Sequence, residues 1–269
     1  MLQIANLSMH FQGEDKEAVK NLSLDIKEGE IHGLVGESGS GKTITALTIA
    51  GLGKAGLQID SGSILLDDLE LLQLKEREWR HVQGKDIGMI FQEPYASLNP
   101  TMKIGRQVEE ALLLHTDLKK KERVKRVIQA LEEVELTCAS QLLHKYPHEL
   151  SGGMRQRVMI AAACILRPKL LIADEPTTAL DVQTQRAILD LLKKINKGHK
   201  ISILFISHNL RVIKELCKKV TVLQDGVVVE QGLCEDVFHN PKHAYTNLLL
   251  RAIPKRLEDS LLHKMIWEK

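Results

Sequence analysis

Gly36-Glu37-Ser38-Gly39-Ser40-Gly41-Lys42-Thr43 follows directly on the short run Ile31 to Val35, and the fold turns on this stretch. It fits G-x-x-x-x-G-K-[ST], a phosphate-binding loop between a strand and a helix. The glycines let the backbone curl so that successive N–H groups point at phosphate oxygens, and a helix starting near Lys42 turns its positive end toward the same anion. Lys42 is then expected to reach the β and γ phosphates, and Thr43 to ligate Mg²⁺. A Gly-rich surface turn is disfavoured by the strand before and the helix after.

Two further apolar runs, Leu170 to Ala173 and Ile201 to Ile206, are bounded by polar residues and too short for isolated helices. They read as parallel strands buried on both faces, with helical patterns between them. That order predicts an α/β fold: a P-loop NTPase core of RecA-like type with a mostly parallel sheet. Leu2 to Phe11, Leu22 to Ile26 and Ser63 to Leu66 read as further strands forming an antiparallel edge. Between Thr101 and Leu150 the pattern becomes helical, with Val124, Val127, Ile128 and Leu131 on one face, which predicts an inserted helical subdomain. The basic run Lys119 to Lys125 around them reads as a solvated helix start, because no aromatic residues interleave with it.

Leu170-Leu171-Ile172-Ala173-Asp174-Glu175 ends in two carboxylates at the sheet edge where open α/β sheets place ligands. Asp174 is expected to hold Mg²⁺ through water, and Glu175 to accept a proton from an attacking water. Leu150-Ser151-Gly152-Gly153-Met154-Arg155-Gln156-Arg157 precedes an apolar helix, and Ser151 at its start with two glycines makes a second phosphate-recognising surface.

Composition sets outer limits. The chain has 269 residues, 43% of them apolar and 27% charged, as in an ordinary globular domain. Lys plus Arg number 37 against 35 Asp plus Glu, which gives no overall imbalance toward nucleic acid. The longest apolar run, Val158 to Leu166, stops far short of the roughly 20 residues of a membrane span. Met1 to Phe11 lacks a secretory pattern. Cys138, Cys164, Cys217 and Cys234 form no CxxC pair and read as packing residues of a reduced, cytosolic protein. Histidines other than His208, including His239, His243 and His263, show no complete metal-ligand spacing and read as surface residues.

With both anion-binding elements and the Asp-Glu strand in order, the sequence resembles the ABC transporter ATPase family, whose signature is LSGGQ followed by a basic residue. Met154 replaces the usual Gln, as in the peptide and nickel importer branch. The resemblance implies a Q-loop glutamine at Gln92, a D-loop at Ala179-Leu180-Asp181, a switch histidine at His208 and an adenine-stacking aromatic at Phe11. It therefore places Lys42, Gln92, Glu175 and His208 in catalysis and Thr43, Gln92 and Asp174 around Mg²⁺. Phe11, Gly36 to Ile44 (Gly36, Glu37, Ser38, Gly39, Ser40, Gly41, Lys42, Thr43, Ile44), Ser151, Gly152, Gly153 and Asp181 surround ATP, with the Ser151 turn serving the opposite subunit's nucleotide.

Gln92-Glu93-Pro94-Tyr95-Ala96-Ser97-Leu98-Asn99-Pro100 resembles the QEP/QDP...LNP segment of oligopeptide, dipeptide and nickel importer ATPases, and Asn240-Pro241-Lys242-His243-Ala244-Tyr245-Thr246 resembles their C-terminal box. The implied organisation is an ATPase domain over 1–250, with its helical insertion at about 101–150, and an extension over 233–269. The implied partners are a second, related ATPase in a heterodimer, two transmembrane permeases docking near an exposed Pro94, Tyr95 and Leu98, and indirectly an extracellular substrate-binding protein. The implied location is peripheral, on the cytoplasmic face of the cell membrane. No cysteine follows Cys234, so no iron–sulfur cluster is expected, and the shorter tail leans toward nickel or a nickel chelate without excluding peptides. A translation-associated protein would carry two cassettes, a chromosome-maintenance ATPase would insert a long coiled coil, and a pure binding module would lack Lys42, Glu175 or His208. A soluble ATPase of this family with no permease is the remaining alternative.

Overall fold

Ten strands form in the described residues: β1 Leu2–Phe11, β2 Glu17–Ile26, β3 Ile31–Val35, β4 Leu57–Leu66, β5 Leu69–Glu70, β6 Ile87–Ile90, β7 Leu170–Asp174, β8 Ser202–Ile206, β9 Lys219–Gln224 and β10 Val227–Leu233. They pair in the order β5-β4-β1-β2-β10-β9-β3-β8-β7-β6. The structure, a computed structural model, describes residues 1–13, 16–93, 97–178 and 180–252.

β9, β3, β8, β7 and β6 are parallel neighbours, and β3, β8 and β7 are buried along their whole length, as strands covered on both faces are. The antiparallel edge is four strands wide, β5-β4-β1-β2. β9 and β10 form a hairpin that joins the two parts, its β10 side meeting β2 at Val227 and Lys20. Asp225-Gly226 turns this hairpin with φ of 48° and 81°, the backbone a two-residue turn between twisted strands demands.

Alternation along the strands divides the core. Leu171, Ala173, Ile203 and Phe205 face one cluster, and Leu170, Ile172, Leu204 and Ile206 face the other. Phe205 is fully buried, and truncating it to Ala is expected to cost about 3–5 kcal/mol. The helical insertion contains Ile104–His115, Lys120–Glu133 and Ala139–Leu142. Ile104, Val108 and Leu112, spaced four apart, turn inward with Val127 and Leu131, whereas Lys119 to Glu122 remain exposed.

Register decides where the chemistry collects. Ile206 of β8 pairs with Leu34 of β3 on one side and Asp174 of β7 on the other, and Ile90 of β6 pairs with Ala173. The residues that follow these positions, Gly36, Gln92, Glu175 and His208, therefore leave the sheet along one row at its C-terminal edge.

Three side chains differ from expectation. Leu98 is 4% exposed and packs in the core with the helical insertion, so it offers nothing to a docking partner; Pro94 and Tyr95 lie outside the described residues. His32 is wholly buried on β3, because Thr221 on β9 and Glu30 supply polar partners at 2.9 and 3.4 Å. Cys138 is exposed at a positive-φ position before Ala139–Leu142, while Cys217 and Cys234 are buried as packing residues. His263 and the chain from 253 onward, like Ala179, also lie outside the described residues.

Candidate functional site

The loop from Gly36 to Gly41 runs from β3 into the helix Lys42–Ile49 and is wedged against the β9–β10 hairpin and β2. A Cβ on Gly36 would sit 2.1 Å from the Leu223 carbonyl oxygen, and one on Gly41, 2.8 Å from that of Ala18. Such approaches exclude any side chain. Gly226 N–H donates to Ser40 O at 3.1 Å, tying the hairpin turn to the loop.

Inside this curl the Lys42 ammonium donates to Gly36 O at 2.9 Å, Glu37 O at 2.7 Å and Ser40 Oγ at 3.3 Å. Lys42 is 5% exposed, and burial holds its pKa below the usual lysine range against the pull of Glu175, Asp174 and Glu37. A buried cation resting on carbonyls is poised to exchange them for a stronger anion. Thr43, one residue on, is exposed.

Asp174 is 3% exposed, and its Oδ1 has no hydrogen-bond partner. Burial raises its carboxyl above the ordinary range; the Thr43 hydroxyl and Lys42 oppose the rise and Glu175 adds to it. An orphaned, dehydrated carboxylate oxygen beside a hydroxyl suits a hard cation of the Mg²⁺ type, which keeps most of its shell as water and phosphate. Among the described residues no group of three His, Cys, Asp or Glu side chains that could hold a metal forms.

Glu175 has a left-handed backbone, φ 47°, which turns it out of β7 toward the loop. Gln92 Nε2 donates to its Oε2 at 3.2 Å and Thr178 Oγ1 to the same atom at 2.9 Å, while His208 Nδ1 lies 3.1 Å from Oε1. Three side chains thus converge on one carboxylate. Lys42, Gln92, Glu175, Phe11, Ser38, Gly39, Gly41, Thr43 and Ile44 border a single cleft of about 450 Å³.

Ser151, Gly152, Gly153 and Asp181 do not border that cleft. Ser151 caps Gly152–Cys164 by accepting from Met154 N at 3.3 Å. Asp181 caps Val182–His199, accepting from Thr184 N at 2.9 Å and Thr184 Oγ1 at 2.7 Å. Sequence reasoning missed Lys16, Lys54 and Asp225 at the cleft, and Thr178 on Glu175. Asp225-Gly226 between apolar stretches was a readable hairpin signal; Lys16 and Lys54 had none.

Comparison with known proteins agrees with this geometry. The family described as "ABC transporter" matches residues 19–178, and "Oligopeptide/dipeptide transporter, C-terminal region" matches 229–265. The chain is 46% identical over 257 residues to the oligopeptide transport ATP-binding protein AppD of Bacillus subtilis, covering 94% of this chain and 78% of that one. It is 42% identical to the dipeptide transport ATP-binding protein DppD of Lactococcus lactis, covering 94% and 74%. A dimeric ATP-binding cassette solved in a post-hydrolysis state with ADP and Pi superimposes with a TM-score of 0.77 at 31% identity, over 87% of this chain and 99% of the other. A phosphate loop, a capped Ser-Gly-Gly turn and a carboxylate pair at the end of a parallel strand two places away in the same sheet, in this chain order and at this level of identity, place the chain in the ABC transporter family as an ATP-binding ATPase.

Proposed function

We propose that this ATPase energises import of a peptide through an ABC transporter, and that Glu175 is the general base of ATP hydrolysis. The observation that carries the catalytic reading is the Glu175 carboxylate held by Gln92, Thr178 and His208 at the mouth of the Lys42 loop. Glu175 takes the proton of the attacking water, and His208 and Gln92 keep its carboxylate aimed. Lys42 and the loop N–H groups, Gly36 to Ile44, would hold the phosphates, and Phe11, which borders the same cleft, would stack on the adenine. Thr43, Asp174 and Gln92 would hold Mg²⁺, which when bound neutralises charge on the β and γ phosphate oxygens.

The peptide substrate is supported by the names of the relatives and by the C-terminal match; the resemblance also implies nickel or a nickel chelate. The chain would combine an ATPase domain over 1–250 with an extension over 233–269. Ser151, Gly152, Gly153 and Asp181, which do not border the cleft, would complete the nucleotide site of a second ATPase, in a heterodimer of related subunits. Two permeases would dock it at the cytoplasmic face of the membrane, with an extracellular binding protein acting indirectly. Among the described residues no helix is long and apolar enough to cross a membrane.

Co-expression with candidate permeases and a candidate partner ATPase, followed by reconstitution in vesicles, tests this reading. Peptide-stimulated ATP hydrolysis that disappears in Glu175→Gln is expected. Hydrolysis indifferent to permeases and peptide would overturn it.

A further inference from the structure

The C-terminal helix Ala244–Arg251 touches the phosphate loop across 208 residues of sequence: Glu37 N–H donates to the Tyr245 hydroxyl at 2.9 Å. Tyr245 is 8% exposed. The segment before it is clamped by Glu230 of β10, whose carboxylate accepts from Lys242 N at 2.9 Å and His243 N at 3.1 Å, and Tyr245 N donates to His243 Nδ1 at 3.2 Å. The phenol is thus delivered to the loop by a fixed scaffold.

The amide it holds belongs to a planar trans peptide, in which C=O and N–H point in opposite directions. With Glu37 N–H engaged by Tyr245, the Gly36 carbonyl of the same peptide is turned inward, where it receives the Lys42 ammonium at 2.9 Å. We propose that Tyr245 is a positioning residue for ATP binding: its hydroxyl fixes the Gly36–Glu37 peptide and, through it, the seat from which Lys42 meets the phosphates. The inference rests on the ATP-site reading of the loop. It makes the C-terminal segment part of the nucleotide site. Burial pushes the Tyr245 phenol up, so the hydroxyl stays uncharged near neutral pH.

The test is a double-mutant cycle on the full chain, with ATP and Mg²⁺ as the probe. Tyr245→Phe keeps the ring and removes the acceptor; it is expected to weaken ATP affinity about tenfold, raising KM while kcat in the assembled transporter changes less than about twofold. In a Lys42→Ala background the same change should weaken affinity less than about twofold. Equal losses in both backgrounds would mean a merely structural role, and an unchanged affinity in Tyr245→Phe would remove the contact from function; either overturns the proposal. Amide exchange on the nucleotide-free wild type decides the contact even should the variant fail to fold: protection of Glu37 N–H is expected, and exchange at the unprotected rate overturns it. A wild type that binds no ATP would instead sink the reading of the loop.

Discussion

The phosphate loop and the Ser151-Gly152-Gly153 turn are both glycine-rich starts of helices, yet they are built in opposite ways. Around the first, a Cβ at Gly36 would strike the Leu223 carbonyl at 2.1 Å. Around the second, a Cβ at Gly152 would meet nothing within 4 Å, and only Gly153 is crowded, by Thr184 Cγ2 at 2.8 Å. The loop is shaped by its own chain; the turn is supported from one side and open on the other. The loop borders the subunit's own cleft, and the turn does not.

The largest effect should come from separating binding from chemistry within the inward-facing half. Glu175→Gln keeps the contacts that Gln92, Thr178 and His208 make and removes the base. ATP affinity should stay within about twofold while turnover falls by about 10²–10⁴. Lys42→Ala should weaken binding itself. Binding isotherms and single-turnover rates decide between them; equal loss of affinity in both variants would mean that the two residues do not divide the work.

Ser151→Arg probes the outward-facing half. Ser151 caps only its own helix, so the isolated subunit should lose about 1 kcal/mol and bind ATP almost as before. In mixed dimers the partner's site should lose about 10²-fold in turnover, as when one preorganised donor is removed from a transition state. Occupancy and turnover measured site by site would expose the error if the mutant subunit lost its own nucleotide instead.

Alanine at the two glycines contrasts the halves directly. Gly36→Ala should destabilise the fold by about 3 kcal/mol, since the loop is pressed against the hairpin backbone. Gly152→Ala should change stability by less than about 1 kcal/mol and could raise it, because the position is helical and open. Urea midpoints of the two isolated variants provide the comparison, and similar midpoints would erase the distinction.

What sequence could and could not reveal follows the same division. Asp174, Glu175 and His208 sit at or just past the ends of short apolar strands, and Lys42 opens the helix that follows another through the glycine loop, so strand boundaries and the loop motif predict where they emerge; the register that aligns β3, β8, β7 and β6 brings them and Gln92 together. Lys16, Lys54 and Thr178 reach the site from loops with no periodic signal. Tyr245 reaches it because Glu230 on a distant hairpin clamps its segment, a contact no local pattern encodes. Leu98 was misjudged for a related reason: a loop residue is buried or exposed according to what the helical insertion packs over it. His32 misled because burial of an imidazole depends on a partner on another strand, here Thr221.

A further effect on stability concerns a group that the nucleotide-free subunit tolerates only at a cost. Asp174 Oδ1 is buried without a partner, and burial holds the carboxyl above its ordinary pKa. In the folded state Asp174 therefore binds its proton more tightly than in the unfolded chain, where the value is about 3.9. Between those two values stability falls as pH rises, and above both the full penalty of the ionised carboxylate remains. Asp174→Asn removes the charge, so it should stabilise the nucleotide-free subunit by about 1 kcal/mol at pH near 7, and by less as pH falls toward 4. Thermal midpoints at the two pH values measure this, and Mg²⁺-dependent hydrolysis by the same variant should collapse. A midpoint lowered equally at both pH values would show that Asp174 is a structural hydrogen-bonding residue, and the phosphate loop's half of the site would then contain no group held at a cost for a cation.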